Sequence, residues 1–245
     1  MAKVSGPDFS QGVTAADVRP GSPLLGHVGE GAVLLANLGD AFSAVSAECT
    51  HYHGPLAQGL VVGESVRCPW HHACFSLRSG EVLAAPGLNP LQRWRVDRDG
   101  DRLVVREKLP VLTATTRQAP AGAKHPESVI VVGGGAAGEA AATTLRFCGY
   151  QGPVTIISAE AGLPPDRPNL SKDYLAGSAP AAWVPVRGEK HFKEHHITLL
   201  HAQVESIDAA QKTLRTADGQ QHRFGALLLA TGAEPVRLPT PGADQ

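Results

Sequence analysis

Apolar residues fall into two different patterns along this chain. Up to about Lys108 they come in short runs broken by turn residues. In "AVLLANLGDAFSAVSAEC" an apolar run, a Gly39-Asp40 turn and a second apolar run follow one another, and "LQRWRVDRDGDRLVVREK" repeats the plan around Asp99-Gly100. Both read as β-hairpins, because glycine supplies the positive φ that tight turns need. From Ser128 the runs become continuous. "VIVV" leads into glycines and an alanine-rich helix from about Ala137 to Phe147, ended by Gly149, and "VTIIS" follows as a second buried strand. This β, α, β opening predicts a parallel sheet with a crossover helix. A helical stretch around "VRGEKHFKEHH", a strand at "ITLLH", a hairpin turning at Asp218-Gly219 and the strand "ALLLA" complete the pattern. Between the halves, "LPVLTATTRQAPAGAKHP" carries Pro110, Pro120 and Pro126 without periodicity and reads as a linker. Its reach as flexible chain is roughly 20 to 25 Å. The expected organisation is multidomain: an all-β domain over 1–108, a linker over 109–127 and an α/β domain over 128–245.

Composition narrows the function classes. At 245 residues, either half can bury a core of its own. A net charge of −1 gives no electrostatic reason to expect nucleic acid or an anionic membrane as partner. The opening "MAKVSGPDFSQG" lacks the apolar stretch of a secretory signal, and no run approaches the ~18 apolar residues of a spanning helix. The expectation is a soluble cytoplasmic protein. Four cysteines are too few for a disulfide framework and read as metal ligation in a reducing compartment.

Two of those cysteines stand beside histidines in similar loops, "CTHYHGPL" from Cys49 and "CPWHHACF" from Cys68. The donors Cys49, His51, Cys68 and His71 suit zinc as readily as iron by ligand type alone. The pattern CxH followed by CPWHxAxF, carried by Cys49, His51, Cys68, Pro69, Trp70, His71, Ala73 and Phe75, resembles the Rieske family of [2Fe-2S] proteins over roughly the first 108 residues. The resemblance implies that Cys49 and Cys68 hold one iron of a [2Fe-2S] cluster and His51 and His71 the other. It also shows departures. High-potential members join the two loops by a disulfide at the positions of Gly54 and Trp70, and donate to the cluster sulfurs from a serine and a tyrosine at the positions of Ala73 and Phe75. With those groups absent, the expected potential lies toward the low end of the ~−150 to +300 mV Rieske range. His53 and His72 read as solvated loop residues, Cys74 as a packed thiol, and Cys148 as core.

"VIVVGGGAAGEAAATTLR" places Gly133, Gly135 and Gly138 in GxGxxG spacing between a strand and a helix. The first glycine permits the turn, the second lets a pyrophosphate approach the backbone, and the third allows close helix packing. Glu160 follows the second strand, where a carboxylate accepts from a ribose hydroxyl. "PPDRPNLSKDYL" and "ALLLATGAEP" make the region from Ser128 onward similar to the FAD-dependent ferredoxin reductases and the apoptosis-inducing-factor-like group. That likeness implies FAD as cofactor, NAD(P)H as electron donor, Arg167 and Lys172 along the flavin, a backbone contact from Val204 to adenine, and closure by Ala230, Thr231 and Gly232. Gly225 departs from the acidic residue common before the last strand. His191 and His195, four apart, read as solvated, and no site is placed there.

Reductases of this kind carry a second dinucleotide fold, and this chain holds one GxGxxG, so a fragment of a longer protein is the expectation. The function expected is electron transfer from NAD(P)H through FAD to the Rieske cluster and on to an unidentified acceptor. The alternatives are an apoptosis-inducing-factor-like redox sensor without rapid turnover and a zinc-stabilised interaction module.

Overall fold

The computed structural model describes residues 6–110, 124–234 and 236. The chain divides into two units, 1–114 and 115–245. Most of the linker expected from the prolines, residues 111–123, lies outside the described residues.

In chain order the first unit carries β1 (Val13–Thr14), β2 (Leu24–Val28), β3 (Gly31–Asn37), β4 (Phe42–Ser46), β5 (Leu60–Val62), β6 (Ser65–Arg67), β7 (Cys74–Ser76), β8 (Val82–Ala84), β9 (Arg93–Asp99) and β10 (Arg102–Leu109). They form two antiparallel sheets. One has the order β1-β10-β9-β4-β3-β2 and the other β5-β6-β7-β8. Both expected hairpins are present: β3 pairs with β4 across the Gly39 turn and β9 with β10 across Gly100, each glycine at positive φ.

β3 explains why its sequence reads as a continuous apolar run. Side chains alternate between faces of a strand, and both faces here are covered. Leu34 and Ala36 pack with Val45, Leu56, Val66, Phe75, Leu77 and Leu91, whereas Val33 and Leu35 pack with Phe9, Val18, Trp94, Leu103 and Val105. Cys49 and Cys68 belong to the first of these cores. The small sheet and its loops are thereby fixed against the large one.

The second unit begins with β11 (Val129–Val132), α1 (Ala136–Phe147) and β12 (Val154–Ser158), then α2 (Arg167–Asn169), α3 (Glu189–Glu194), β13 (Ile197–His201), β14 (Val204–Asp208), β15 (Thr213–Thr216), β16 (Gln221–Arg223) and β17 (Ala226–Leu229). A parallel sheet of order β13-β12-β11-β17 holds β11 at its centre, buried at all four positions. β14, β15 and β16 form a separate antiparallel sheet, with the expected turn at Gly219. The expected β, α, β opening and parallel pairing are therefore observed. Among the described residues, no helix is long and apolar enough to cross a membrane.

Two expectations are corrected. Cys148 is exposed, because it caps the C-terminal end of α1 where the helix leaves the sheet. His191 is not solvated: its side chain is 13% exposed and hydrogen-bonded to Thr143 of α1.

Candidate metal centre and dinucleotide loop

The two cysteine loops fold by the same hydrogen bonds. The Cys49 N–H donates to the Gly54 carbonyl at 2.9 Å, and the His53 N–H returns to the Cys49 carbonyl at 3.0 Å. In the second loop the Cys68 N–H donates to Ala73 at 2.8 Å, and the His72 N–H to Cys68 at 3.1 Å. Each loop reverses at a histidine in the left-handed region, His53 at φ 56° and His72 at φ 63°. Both of these histidines are exposed, as expected from the sequence.

These loops bring like donors together. Cys49 and Cys68 are buried, and Cys68 is near enough to hydrogen-bond the Cys49 thiol. Burial pushes the Cys49 thiol up to about 11; the His51 backbone amide pulls it down, and Cys68 adds to the rise. Bound iron would have to displace that proton. The His51 and His71 rings meet edge to face with centroids 5.0 Å apart, and Tyr52 packs 4.1 Å from His51. His71 lies at the surface while the cysteines lie in the core.

Gly54 completes the cradle. A Cβ there would come 2.7 Å from Cys68 Sγ and 3.2 Å from the Trp70 ring. Gly54 and Trp70 thus face each other, where the resemblance placed a disulfide in high-potential relatives. Ala73 and Phe75, at the positions of the serine and tyrosine donors, are fully buried. Cys74 is buried in β7, as expected of a packed thiol. Among the described residues no group of three or more His, Cys, Asp or Glu converges on a single metal ion. A [2Fe-2S] cluster of the Rieske type asks for two cysteine sulfurs on one iron and two imidazoles on the other, and the donors present fit that demand.

The glycine loop joins β11 to α1. Gly133, at φ 117°, has its missing Cβ 2.1 Å from the Ala230 carbonyl oxygen, so the loop is pressed against the turn after β17. Gly138 packs on the Gly133 carbonyl, where a Cβ would approach to 2.0 Å. Gly135 caps α1 and faces open space, the one glycine of the three with room for a ligand above it. The N–H groups at a helix N-terminus bind anions, and α1 begins there. The residues fit a dinucleotide.

Glu160 and Arg167, expected separately at ribose and flavin, are joined by an ion pair of 2.5 Å. Both are exposed, and Glu160 Oε1 takes the Arg167 donor. Lys172 is exposed in the helical segment after α2, at a kink with φ −123° and ψ −105°. Val204 begins β14 and packs beside Phe224 and Leu214. The Ala230 N–H donates to Val132, which brings Ala230, Thr231 and Gly232 beside the glycine loop. Gly225 is explained by crowding: a Cβ would lie 2.8 Å from the Glu127 nitrogen, leaving no space for a side chain.

Sequence reading missed a buried polar network. Glu139 and Arg187 pair at 2.5 Å, and Thr143 Oγ1 donates to Glu139 at 2.6 Å. With that proton committed, Thr143 accepts from His191 Nε2 at 2.9 Å. The available signal was polar residues at 139, 143 and 146, spaced i, i+4, i+7 on an otherwise alanine-rich helix.

Each unit is similar to known proteins. The Rieske [2Fe-2S] domain matches residues 12–95, and the pyridine nucleotide-disulphide oxidoreductase family matches residues 127–245. Apoptosis-inducing factor 3 of Mus musculus is 33% identical over 227 residues, covering 89% of this chain and 37% of its own. Rubredoxin-NAD(+) reductase of Pseudomonas putida is 35% identical over 118 residues, 48% of this chain and 31% of that protein. The solved ferredoxin of carbazole 1,9a-dioxygenase from Nocardioides aromaticivorans IC177 is 29% identical, covers 38% of this chain and 92% of its own, and superposes with a TM-score of 0.37. The chain spans about a third of the length of these two curated relatives. It carries a Rieske [2Fe-2S] domain followed by a pyridine nucleotide-disulphide oxidoreductase domain.

Proposed function

We propose that this chain is the cofactor-binding part of an oxidoreductase that carries electrons from NAD(P)H, through FAD, to a Rieske cluster and on to an acceptor. The carrying observation is the pairing of donors, two buried sulfurs together and two imidazoles together, on matched loops. FAD exchanges electrons in pairs or singly and a [2Fe-2S] cluster exchanges one at a time, which is the chemical reason to join them.

This chain's residues bind and orient. Cys49 and Cys68 would hold one iron, and His51 and His71 the other. Two neutral imidazoles in place of two thiolates leave the cluster less negative and favour an added electron. Buried Ala73 and Phe75 offer no hydroxyl to the cluster sulfurs, which supports a potential toward the low end of the family's range. The Gly135–Gly138 turn would hold the pyrophosphate, with Glu160 accepting from ribose. Arg167, Lys172, Val204, Ala230, Thr231 and Gly232 would supply the remaining flavin contacts. Sparse cysteine usage, with two of the four assigned to iron, supports placement in the reducing cytoplasm.

The test is anaerobic addition of NADH or NADPH to the full-length protein carrying both cofactors. Bleaching of the flavin and appearance of the reduced-cluster resonance in the same preparation is the expected outcome. A flavin that bleaches while the cluster stays oxidised, with acceptors tried in turn, would remove the electron-transfer reading in favour of a redox sensor.

A further inference from the structure

The buried pair Glu139–Arg187 lies outside every cofactor contact expected from the sequence. Glu139 is 2% and Arg187 8% exposed. Burying two charges costs desolvation that a well-packed apolar pair avoids, so such a pair is weak as a source of stability and strong as a directional tie.

Glu139 stands on the first turn of α1, the helix that opens at the glycine loop. Arg187 directly follows the neck of a long excursion. There the Asp166 N–H donates to the Val184 carbonyl at 2.7 Å and the Val186 N–H to Pro164 at 2.9 Å, with Pro165 and Pro185 bridged between them. Asn169 Nδ2 adds a bond to the Trp183 carbonyl at 3.2 Å. Inside the neck lie Arg167, Lys172 and the exposed side chains of Tyr174, Leu175 and Trp183. With so much apolar surface left in solvent, the excursion's placement depends on its neck.

We propose that Glu139 is a positioning residue. Through Arg187 it fixes the neck of residues 164–187 to the phosphate-binding helix, and so sets where Arg167 and Lys172 stand relative to the glycine loop. Thr143 steadies the carboxylate, and His191 steadies Thr143. The inference rests on the FAD reading above, but the tie itself can be tested without flavin.

The test compares the whole chain with the double variant Glu139→Leu/Arg187→Met, which fills the space without charge, and with Glu139→Gln. Amide hydrogen exchange is followed at Asp166 and Val186 in the neck and at Val131 in β11, and FAD affinity is followed by flavin fluorescence. In the double variant the neck amides should exchange at least tenfold faster while Val131 and the melting temperature stay close to those of the parent. FAD should bind about tenfold more weakly, with Glu139→Gln intermediate in both. Neck exchange unchanged, or FAD affinity unchanged despite faster neck exchange, overturns the proposal. If the double variant does not fold, the same two readings on Glu139→Gln decide the matter. Where the parent chain binds no FAD, affinity is read on the full-length protein; a full-length protein that binds none removes the flavin reading, while neck exchange still shows whether the tie exists.

Discussion

Gly54 carries more of the metal site than its lack of side chain suggests. Its missing Cβ would stand 2.7 Å from Cys68 Sγ, a separation that forces the sulfur or the loop to move. Gly54→Ala is therefore expected to cost about 1–3 kcal/mol by overpacking and to lower cluster incorporation. Iron and sulfide per chain after anaerobic reconstitution measure this; full incorporation would contradict it. The two loop histidines give the opposite sign. His72 at φ 63° holds a conformation that costs a side-chain-bearing residue roughly 1–2 kcal/mol, partly offset by the entropy glycine loses on folding. His72→Gly is expected to raise stability by about 0.5–1 kcal/mol with the four donors untouched. A lowered denaturation midpoint would show that the imidazole makes a compensating contact. That Cys49 and Cys68, and His51 and His71, would come together was legible from residue type and spacing. Glu139–Arg187 was not legible, since its partners lie 48 residues apart and only the fold brings them together.

Among the elements, strands and hairpins followed their patterns closely, with β3, β9 and β10 placed by turn glycines and β11 by its continuous apolar run. α3 did not behave as its polar composition suggested. Its His191 is drawn against α1, stacked on His195 with ring centroids 4.2 Å apart and facing Thr143, Glu139 and Arg187. Burial pushes His191 down from 6.5 to about 4, and the charges of Arg187 and then His195 add to that. Glu139 lies 3.8 Å from His191 and would favour the cation, yet its charge is already met by Arg187 at 2.5 Å. Because the unfolded chain takes up the proton first, this contribution to stability is complete above pH 6.5 and is lost as pH falls toward 4. The loss should be about 1–2 kcal/mol after solvent screening, and His191→Gln should flatten that part of the profile. An unchanged profile in the variant, followed by denaturation between pH 7 and 4, would reject the assignment.

For the molecule as a whole, the order of an all-β unit followed by an α/β unit could be read from where short runs broken by turns give way to the continuous apolar run of 129–132 and its glycine loop. Burial of the cysteines beneath exposed His71 could not, because it depends on two sheets sharing the core of Leu34, Val45, Val66 and Phe75. On the function proposed above, Cys49, Cys68, His51 and His71 carry a [2Fe-2S] cluster with unequal ligands on its irons. The most direct measurement is electron paramagnetic resonance of the dithionite-reduced chain, prepared anaerobically, with its iron and inorganic sulfide determined alongside. Equal amounts of iron and sulfide, and a resonance whose average g lies below the free-electron value, are the result predicted. A silent sample containing zinc and no sulfide would contradict it.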